Sequence, residues 1–318
     1  MRRFSALTRR KKSIIHGKYP TWVYKLLIVL ATIIWGFSFV VMKDVVAVLP
    51  PAWLLGMRFL FAGALLLVIL RKRVMRFCSR KVVTYGLILG VLDFTAFWLQ
   101  TVGLKHTTPG INAFLTATYC VLVPFAWWLI ARKRPTAFNI VAAIVAVCGI
   151  WLVSVSSSGE TLSIGFGEAM TLGCAVAFAA HIVAVSKFAQ KCDALVLTVF
   201  QFIAEGALGI VFGAATETFP GVAAFTPEII GQMLFLAVFA SVVAFGIQNV
   251  SLAHVPPTQA SLLLSLESVF GVVFSILLYG EQMTLRLVVG FVLIFAAIVI
   301  SETLPLKEKP CRRKTTSS

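Results

Sequence analysis

Five ionisable side chains lie inside long apolar segments of the sequence. They are Arg58, Asp93, His181, Glu205 and Glu267. A charged group in the middle of a lipid bilayer costs about 2.5–3.5 kcal/mol on insertion scales, so each of these groups needs a partner or a function. A carboxyl group can bind a proton or an ammonium group, and a histidine titrates near neutral pH when it meets water. At every one of these positions the alternative is a purely structural group that holds helices together.

Asp93 belongs to a row of residues that recur at helical spacing. The row consists of Gly86, Gly90, Asp93, Phe97 and Gln100, which therefore share one face of a helix. The two glycines form a GxxxG pattern that lets a second helix come close. We therefore expect Asp93 and Gln100 to face the interior of a helix bundle. They would form a cavity wall that binds an ammonium group or a proton, or a buried hydrogen bond to another helix.

A second set of polar residues lies further along the chain. Asn112, Thr116 and Tyr119 share a helical face, and Glu267 occupies the position equivalent to Tyr119 in an internal repeat described below. Two copies that present Tyr119 and Glu267 toward a common centre would make an asymmetric polar site. Alternatively, the Glu267 carboxyl only joins helices.

The other ionisable groups have stronger structural explanations. Glu205 shares a face with Gln201 and Gly209, and an interhelical hydrogen bond explains it. Arg58 is near the end of its apolar segment, where a long side chain reaches the interface or pairs with a carboxylate. His181 is either a packed, hydrogen-bonded histidine or part of the polar site.

Aromatic residues accompany these groups. Trp35, Phe94, Phe97 and Trp98 could form an aromatic wall for an apolar or ammonium substrate. Core packing or lipid contact is the alternative for each of them.

The composition indicates a membrane protein. The hydrophobic share is 59%, the charged share is 13% and the mean hydropathy is +0.96, whereas a soluble domain is about half apolar and about a quarter charged. Ten apolar segments are separated by proline, glycine or charged residues, and helices are the structures that satisfy the backbone of such segments in lipid. The segments are 24–43, 53–70, 82–104, 109–131, 136–154, 165–186, 195–214, 229–252, 257–279 and 285–303. The predicted fold class is all-α, a polytopic membrane protein with ten transmembrane helices.

Two stretches of the chain repeat each other. FWLQTVGLKHTTPGINA (97–113) and FGIQNVSLAHVPPTQAS (245–261) share six identities in seventeen positions, including the pair Gln100 and Gln248. Five predicted helices separate the two copies, so the copies run through the membrane in opposite directions. A fainter match at an offset of 143 pairs 57–59 with 200–202. The pattern predicts two inverted five-helix repeats, an arrangement that places a transport site near the midplane between the halves.

The basic residues predict the orientation. With the N-terminus inside, 24 of the 28 Lys and Arg residues fall in the tails and loops on the inner side, and three fall on the outer side. Cytoplasmic loops carry such an excess, so both tails (1–23 and 304–318) are expected in the cytoplasm. This distribution over separate loops also argues against nucleic-acid binding as the reason for the net charge of +16.

Motifs for other chemistries are missing. The six cysteines show neither metal-site spacing nor a disulfide framework. The sequence contains no GxxxxGKS, HExxH or Gly-x-Ser-x-Gly. We therefore expect no cofactor, no bound metal and no enzyme activity. A membrane enzyme or a structural membrane protein stays the alternative of another class.

Several local patterns together resemble a known family. These patterns are Trp35-Gly36-Phe37-Ser38-Phe39, Arg58-Phe59, the element from Gln100 to Pro109, Leu266-Glu267-Ser268-Val269-Phe270 and Gly280-Glu281. Over residues 24–303 the chain resembles the drug/metabolite transporter superfamily, in its ten-helix EamA branch. The resemblance implies a first EamA repeat at 24–155 and a second at 165–303.

The resemblance also implies a function. Its members are secondary transporters of the bacterial inner membrane that export amino acids, their relatives and other small metabolites. Multidrug efflux and the carriage of sugars or nucleotide sugars are the alternatives within transporters. The expected partners are a small-molecule substrate and the lipid bilayer, with protons as a candidate coupling ion and a monomer as a candidate assembly. The candidate substrate-binding residues are Trp35, Asp93, Trp98, Gln100, Asn112, Tyr119, His181, Gln248 and Glu267.

Overall fold

The computed structural model of the chain describes residues 20–132, 134–154, 164–189, 191–252, 255 and 263–303. Helices dominate this part of the chain. They are α1 (Thr21–Val48), α2 (Pro51–Ile69), α3 (Arg71–Phe77), α4 (Arg80–His106), α5 (Pro109–Ala117), α6 (Tyr119–Ala131), α7 (Ala137–Ser154), α8 (Phe166–Phe188), α9 (Ala194–Thr216), α10 (Pro227–Phe235), α11 (Ala244–Leu252), α12 (Leu266–Tyr279) and α13 (Leu285–Thr303). Residues 1–19 and 304–318 of the predicted tails, as well as His254 and Pro257 of the second repeat copy, lie outside the described residues.

The helices are those of a multi-pass membrane protein. In the described part of the chain, seven helical stretches are long and apolar enough to cross a membrane, and α7, α12 and α13 supply three shorter apolar helices. Large apolar side chains such as Val68, Leu129 and Leu277 are 69%, 79% and 71% exposed. Such side chains are stable in contact with lipid, and the predicted all-α membrane class is confirmed at this level.

Two of the predicted segments are not uniform α-helices. The segment at 109–131 is divided at Thr118 into α5 and α6. The segment at 229–252 contains a π-helix at Leu236–Val243 between α10 and α11. Its wider turn lets the Ser241 hydroxyl donate to the carbonyl of Leu236, five residues earlier, at 3.1 Å. Such π segments recur at functional sites.

Small residues let the helices approach closely. A Cβ at Gly86 would lie 2.5 Å from Phe200 Cβ, and a Cβ at Gly90 would lie 2.6 Å from Ala204 Cβ. The predicted close approach at the GxxxG pattern is therefore confirmed, and the neighbour is α9. The pairs α2 with α9, α4 with α8 and α7 with α13 make the most extensive helix contacts in the described chain.

One end of the bundle is tied by acidic helix caps. The Glu217 carboxylate accepts hydrogen bonds from the backbone N–H groups of Ala52 (3.0 Å) and Trp53 (3.3 Å) at the start of α2. Glu281 accepts one from the N–H of Gly110 at the start of α5 (3.1 Å). The first N–H groups of a helix have no partner within that helix, so these carboxylates satisfy them. The turns before α2 and α5 and after α9 and α12 consequently share one end.

The opposite end is joined by an ion pair and a ring stack. Arg73 Nη2 lies 2.8 Å from Asp193 Oδ2, and the rings of Tyr85 and Phe188 stack with centroids 4.0 Å apart. These contacts bring α3, the start of α4, the end of α8 and the start of α9 together.

Candidate functional site

A cluster of charged side chains lies inside the bundle. Arg58 of α2 is 2% exposed, and Asp93 of α4 and Glu205 of α9 are both 0% exposed. Burial of a charge is costly unless the charge is paired. The arrangement of these three groups is therefore central to what the site can do.

Asp93 receives contacts from two neighbouring helices. Gln201 Nε2 donates to Asp93 Oδ2 at 2.6 Å, and His181 Nδ1 lies 3.5 Å from Asp93 Oδ1. The prediction that Asp93 faces the bundle interior is confirmed. His181, another candidate, is brought beside it by α8.

Arg58 donates to the π-helix that precedes α11. Its Nε donates to Ser241 Oγ at 3.0 Å and its Nη1 to the sulfur of Met42 at 3.5 Å. The guanidinium carbon lies 4.7 Å from the ring centroid of Phe59 and 5.3 Å from that of Phe97. The interpretation that Arg58 reaches the membrane interface is wrong, because neighbouring helices enclose the side chain on all sides. Pairing with carboxylates, the other interpretation, fits its position beside Asp93 and Glu205.

Glu205 has an unusual environment for a buried acid. Its carboxyl contacts that of Asp93 and lies within electrostatic reach of Arg58. Neither Glu205 oxygen has a hydrogen-bond donor among the described residues when both acids are ionised. Two carboxylates are both acceptors, so their contact becomes a hydrogen bond only when one of them carries a proton.

A second polar cluster is built by α4, α5 and α8. Gln100 Nε2 donates to Thr116 Oγ1 at 3.2 Å. Asn112 Nδ2 donates to the Gln100 carbonyl oxygen at 3.2 Å and to Thr171 Oγ1 at 2.7 Å. Gln100 is 4% exposed and Asn112 is 0% exposed. The two candidates therefore lie together, and Thr171 is a partner that sequence reasoning did not identify.

Tyr119 and Glu267 meet, as the repeat predicts. The Tyr119 hydroxyl donates to Glu267 Oε1 at 3.3 Å. The ring centroid of Phe178 lies 6.2 Å from that of Tyr119 and 5.1 Å from that of Phe97, which packs against Arg58.

The remaining candidates are placed less centrally. Trp35 Nε1 donates to the carbonyl oxygen of Ala240 in the π-helix at 2.8 Å. Trp98 packs edge-on against Phe212 at 5.3 Å, and its Nε1 has no partner among the described residues. Gln248 is half-buried on α11. Trp35 thus contacts the π-helix that also carries Ser241, the acceptor of Arg58. Within the described residues, no contact joins Trp98 or Gln248 to a member of either polar cluster.

A separate pocket of about 480 Å³ opens between α1, α10 and α12. Phe37, Asp44, Gln232 and Tyr279 are among its lining residues. None of the predicted site residues lines it. Among the described residues, no three His, Cys, Asp or Glu side chains are grouped as metal ligands.

The chain matches a known protein family and several individual proteins. The model of the EamA-like transporter family matches the chain twice, over residues 22–155 and 165–303. A protein of Archaeoglobus fulgidus named "Uncharacterized transporter" is 28% identical over 271 residues, covering 85% of this chain and 83% of the relative. "Uncharacterized transporter YvbV" of Bacillus subtilis is 27% identical, covering 87% of this chain and 91% of the relative.

Two further matches extend the comparison. "Protein PagO" of Salmonella typhimurium is 26% identical, covering 90% of this chain and 96% of the relative. A solved crystal structure superposes with a TM-score of 0.64 at 17% identity, covering 89% of this chain and 99% of that one. At this identity the structural likeness bears on the fold alone.

Proposed function

Because the chain belongs to the EamA-like transporter family and is thus a membrane transporter, we propose that it is a secondary exporter of small metabolites. Amino acids or their close relatives are the proposed substrates, and alternating access is the proposed mechanism. The hydrogen bond between Tyr119 and Glu267 carries this proposal. It joins the two family-matched segments through one polar residue from each, at positions 148 residues apart.

The proposed architecture is ten spans in two inverted repeats, 24–155 and 165–303. Trp35 and Phe178 are 143 residues apart, and Phe97 and Phe245 are 148 residues apart. Trp35 contacts Phe245 at 5.4 Å, and Phe178 contacts Phe97 at 5.1 Å. Equivalent residues thus make equivalent contacts in the two halves, and this supports the repeat.

The proposed location is the bacterial inner membrane, with both termini in the cytoplasm. The end of the bundle that carries Arg73 and Asp193 would face the cytoplasm, and the end with Glu217 and Glu281 would face outward. The basic residues of the segment 71–81 lie at the first of these ends, as the excess of Lys and Arg in cytoplasmic loops requires.

The substrate would bind where the halves meet. Glu267 supplies a carboxylate for an ammonium group, and Tyr119 supplies a hydroxyl that orients it. Gln100 Nε2 has one further amide hydrogen for a carboxylate of the substrate, and Asn112 Oδ1, which has no partner among the described residues, would accept from a hydroxyl or ammonium group. Rocking of one half against the other would open this centre to each side in turn, as in other transporters built from inverted repeats.

An efflux screen tests the function. Bacterial cells that overproduce the chain are exposed to a panel of toxic amino acid analogues, and growth and retained radiolabelled analogue are measured. We expect resistance to at least one analogue with lower retention. Glu267→Gln should abolish it, because the amide cannot balance an ammonium group.

The matched control is Glu228→Gln, the same chemical change at an exposed position at the start of α10. It should leave resistance unchanged. Absence of resistance to every analogue, at wild-type abundance in the membrane, would reject amino acids as the substrate class. Full resistance in the Glu267→Gln variant would remove Glu267 from the site.

A further inference from the structure

The charges of the buried cluster do not balance unless a proton is bound. Arg58, His181 and Glu205 are the charged or titratable groups that face Asp93 among the described residues, and they come from α2, α8 and α9. Two carboxylates and one guanidinium carry a net charge of −1 while His181 is neutral. One bound proton makes the cluster neutral.

The geometry places this proton between the two acids. The carboxyls of Asp93 and Glu205 contact each other, and both side chains are 0% exposed. Asp93 Oδ1 and both oxygens of Glu205 have no donor among the described residues. A proton on either acid supplies the missing donor and removes the repulsion between two adjacent negative charges.

From this geometry we infer that Asp93 and Glu205 form a one-proton binding site, balanced by Arg58, and that release and rebinding of this proton drives transport. The second half of the inference rests on the proposed transport function. The site shares no residue with the pair formed by Tyr119 and Glu267. Binding converts one carboxylate to a carboxylic acid and changes no other bond.

Infrared pH-difference spectra of the purified full-length protein in lipid nanodiscs test the site directly. The wild type should show the carbonyl stretch of one protonated carboxyl. Asp93→Asn and Glu205→Gln should each abolish this band completely. After either change the remaining carboxylate is balanced by Arg58 and holds no proton.

Three controls sharpen the result. Glu228→Gln should leave the band intact, and any band lost in Glu267→Gln is assigned to Glu267 and set aside. Glu205→Asp keeps two acids and should shift the band without removing it, which provides a result if the amide variants fold poorly.

A band that merely halves in each amide variant would show two independent acids and overturn the shared site. A second result would also overturn the shared site: the wild type takes up a proton but shows no carbonyl band, and His181→Gln loses that uptake. The proton would then be bound by His181.

Proteoliposomes test the coupling. Vesicles contain a pH-sensitive dye, and a radiolabelled mixture of the twenty common amino acids is the probe. Amino acid flux accompanied by proton flux, with the proton flux lost in Glu205→Gln, supports the inference. Amino acid flux without proton flux overturns the coupling and leaves the transport function standing. Absence of amino acid flux rejects the proposed substrates, while the infrared result still decides the proton site.

Discussion

Two buried polar contacts occupy equivalent positions in the proposed repeats but are made by different residue types. Gln201 donates to Asp93 at 2.6 Å, and Arg58 donates to Ser241 at 3.0 Å. Arg58 and Gln201 are 143 residues apart, and Asp93 and Ser241 are 148 residues apart. In each contact a long side chain from one half reaches the middle of a helix in the other half. One contact carries a negative charge and the other carries a positive charge.

The aromatic packing beside these contacts does not differ in this way. Phe59 lies 5.1 Å from Phe97, and their equivalents Phe202 and Phe245 lie 5.2 Å apart. The proposed repeats therefore keep an aromatic pair at equivalent positions and at nearly the same distance, and they differ in their polar groups. The charge of Asp93 is not balanced by its own donor Gln201, which is neutral. Its counter-charge is Arg58 of the same half, and Arg58 is held in turn by its hydrogen bond to Ser241 of the other half.

The largest expected effect follows from removing the cation. Arg58→Met leaves two buried carboxyls without a counter-charge, and breaking a buried charge pair costs about 3–5 kcal/mol. Gln201→Met is the matched control at the equivalent position. It removes a hydrogen bond to a charged group, which is worth about 1.5–3 kcal/mol. The free energy of unfolding in mixed micelles measures both, and equal losses would contradict the difference in charge between the contacts.

A second experiment makes the two contacts alike. Arg58→Gln gives the contact with Ser241 a glutamine donor, as in the other contact. Asp93→Ser gives the contact with Gln201 a serine acceptor, as in the π-helix. We expect the double variant to be more stable than the sum of the single losses predicts, by about 0.5–3 kcal/mol, because Arg58→Gln no longer removes the counter-charge of Asp93 once Asp93 has been replaced by serine. The measurement is a double-mutant cycle of unfolding free energies. Strict additivity would show that Arg58 and Asp93 do not interact.

Part of this arrangement could be predicted from the sequence. The helical row from Gly86 to Gln100 identified the buried face of α4, because glycine spacing and polar spacing agreed on one face. The repeat offset identified Tyr119 and Glu267 as partners. Both predictions use regular features, the helical period and a constant register, which a sequence records directly.

The role of Arg58 could not be predicted in the same way. Its position near the end of an apolar segment is compatible with reaching the interface, and only the packing of α4 and α9 around it excludes that. For Glu205 the sequence indicates an interhelical hydrogen bond, but it does not show that the neighbour on the other helix is a second acid, Asp93. The π-helix at Leu236–Val243, which aims Ser241 at Arg58, leaves no signal in the apolar pattern. Each of these features depends on which helices meet, and local sequence does not specify that.

Apolar contacts between the halves provide the next test. Gly63 and Gly206 are 143 residues apart. A Cβ at Gly206 would lie 2.3 Å from the backbone nitrogen of Leu60, whereas a Cβ at Gly63 would lie 2.9 Å from Ile203 Cγ1 and 3.0 Å from the Ile203 backbone nitrogen. Overpacking costs about 1–3 kcal/mol, and the backbone contact at Gly206 is the shorter of the two. Gly206→Ala should therefore lower the thermal unfolding midpoint more than Gly63→Ala, and the reverse order would contradict the packing.

The smallest expected effect concerns the indole that replaces a phenyl ring in one half. Trp35 donates to the carbonyl oxygen of Ala240 at 2.8 Å, while its equivalent Phe178 has no N–H group to donate. Trp35→Phe makes the two halves alike and should cost about 0.5–1.5 kcal/mol, the net value of one hydrogen bond. Trp98→Phe is the matched control, because the Trp98 Nε1 has no partner among the described residues. Since that change loses no hydrogen bond, the unfolding free energy of Trp98→Phe should fall less. A larger loss at Trp98 than at Trp35 would show that the lost ring volume, rather than the hydrogen bond to the π-helix, sets the cost of replacing tryptophan by phenylalanine.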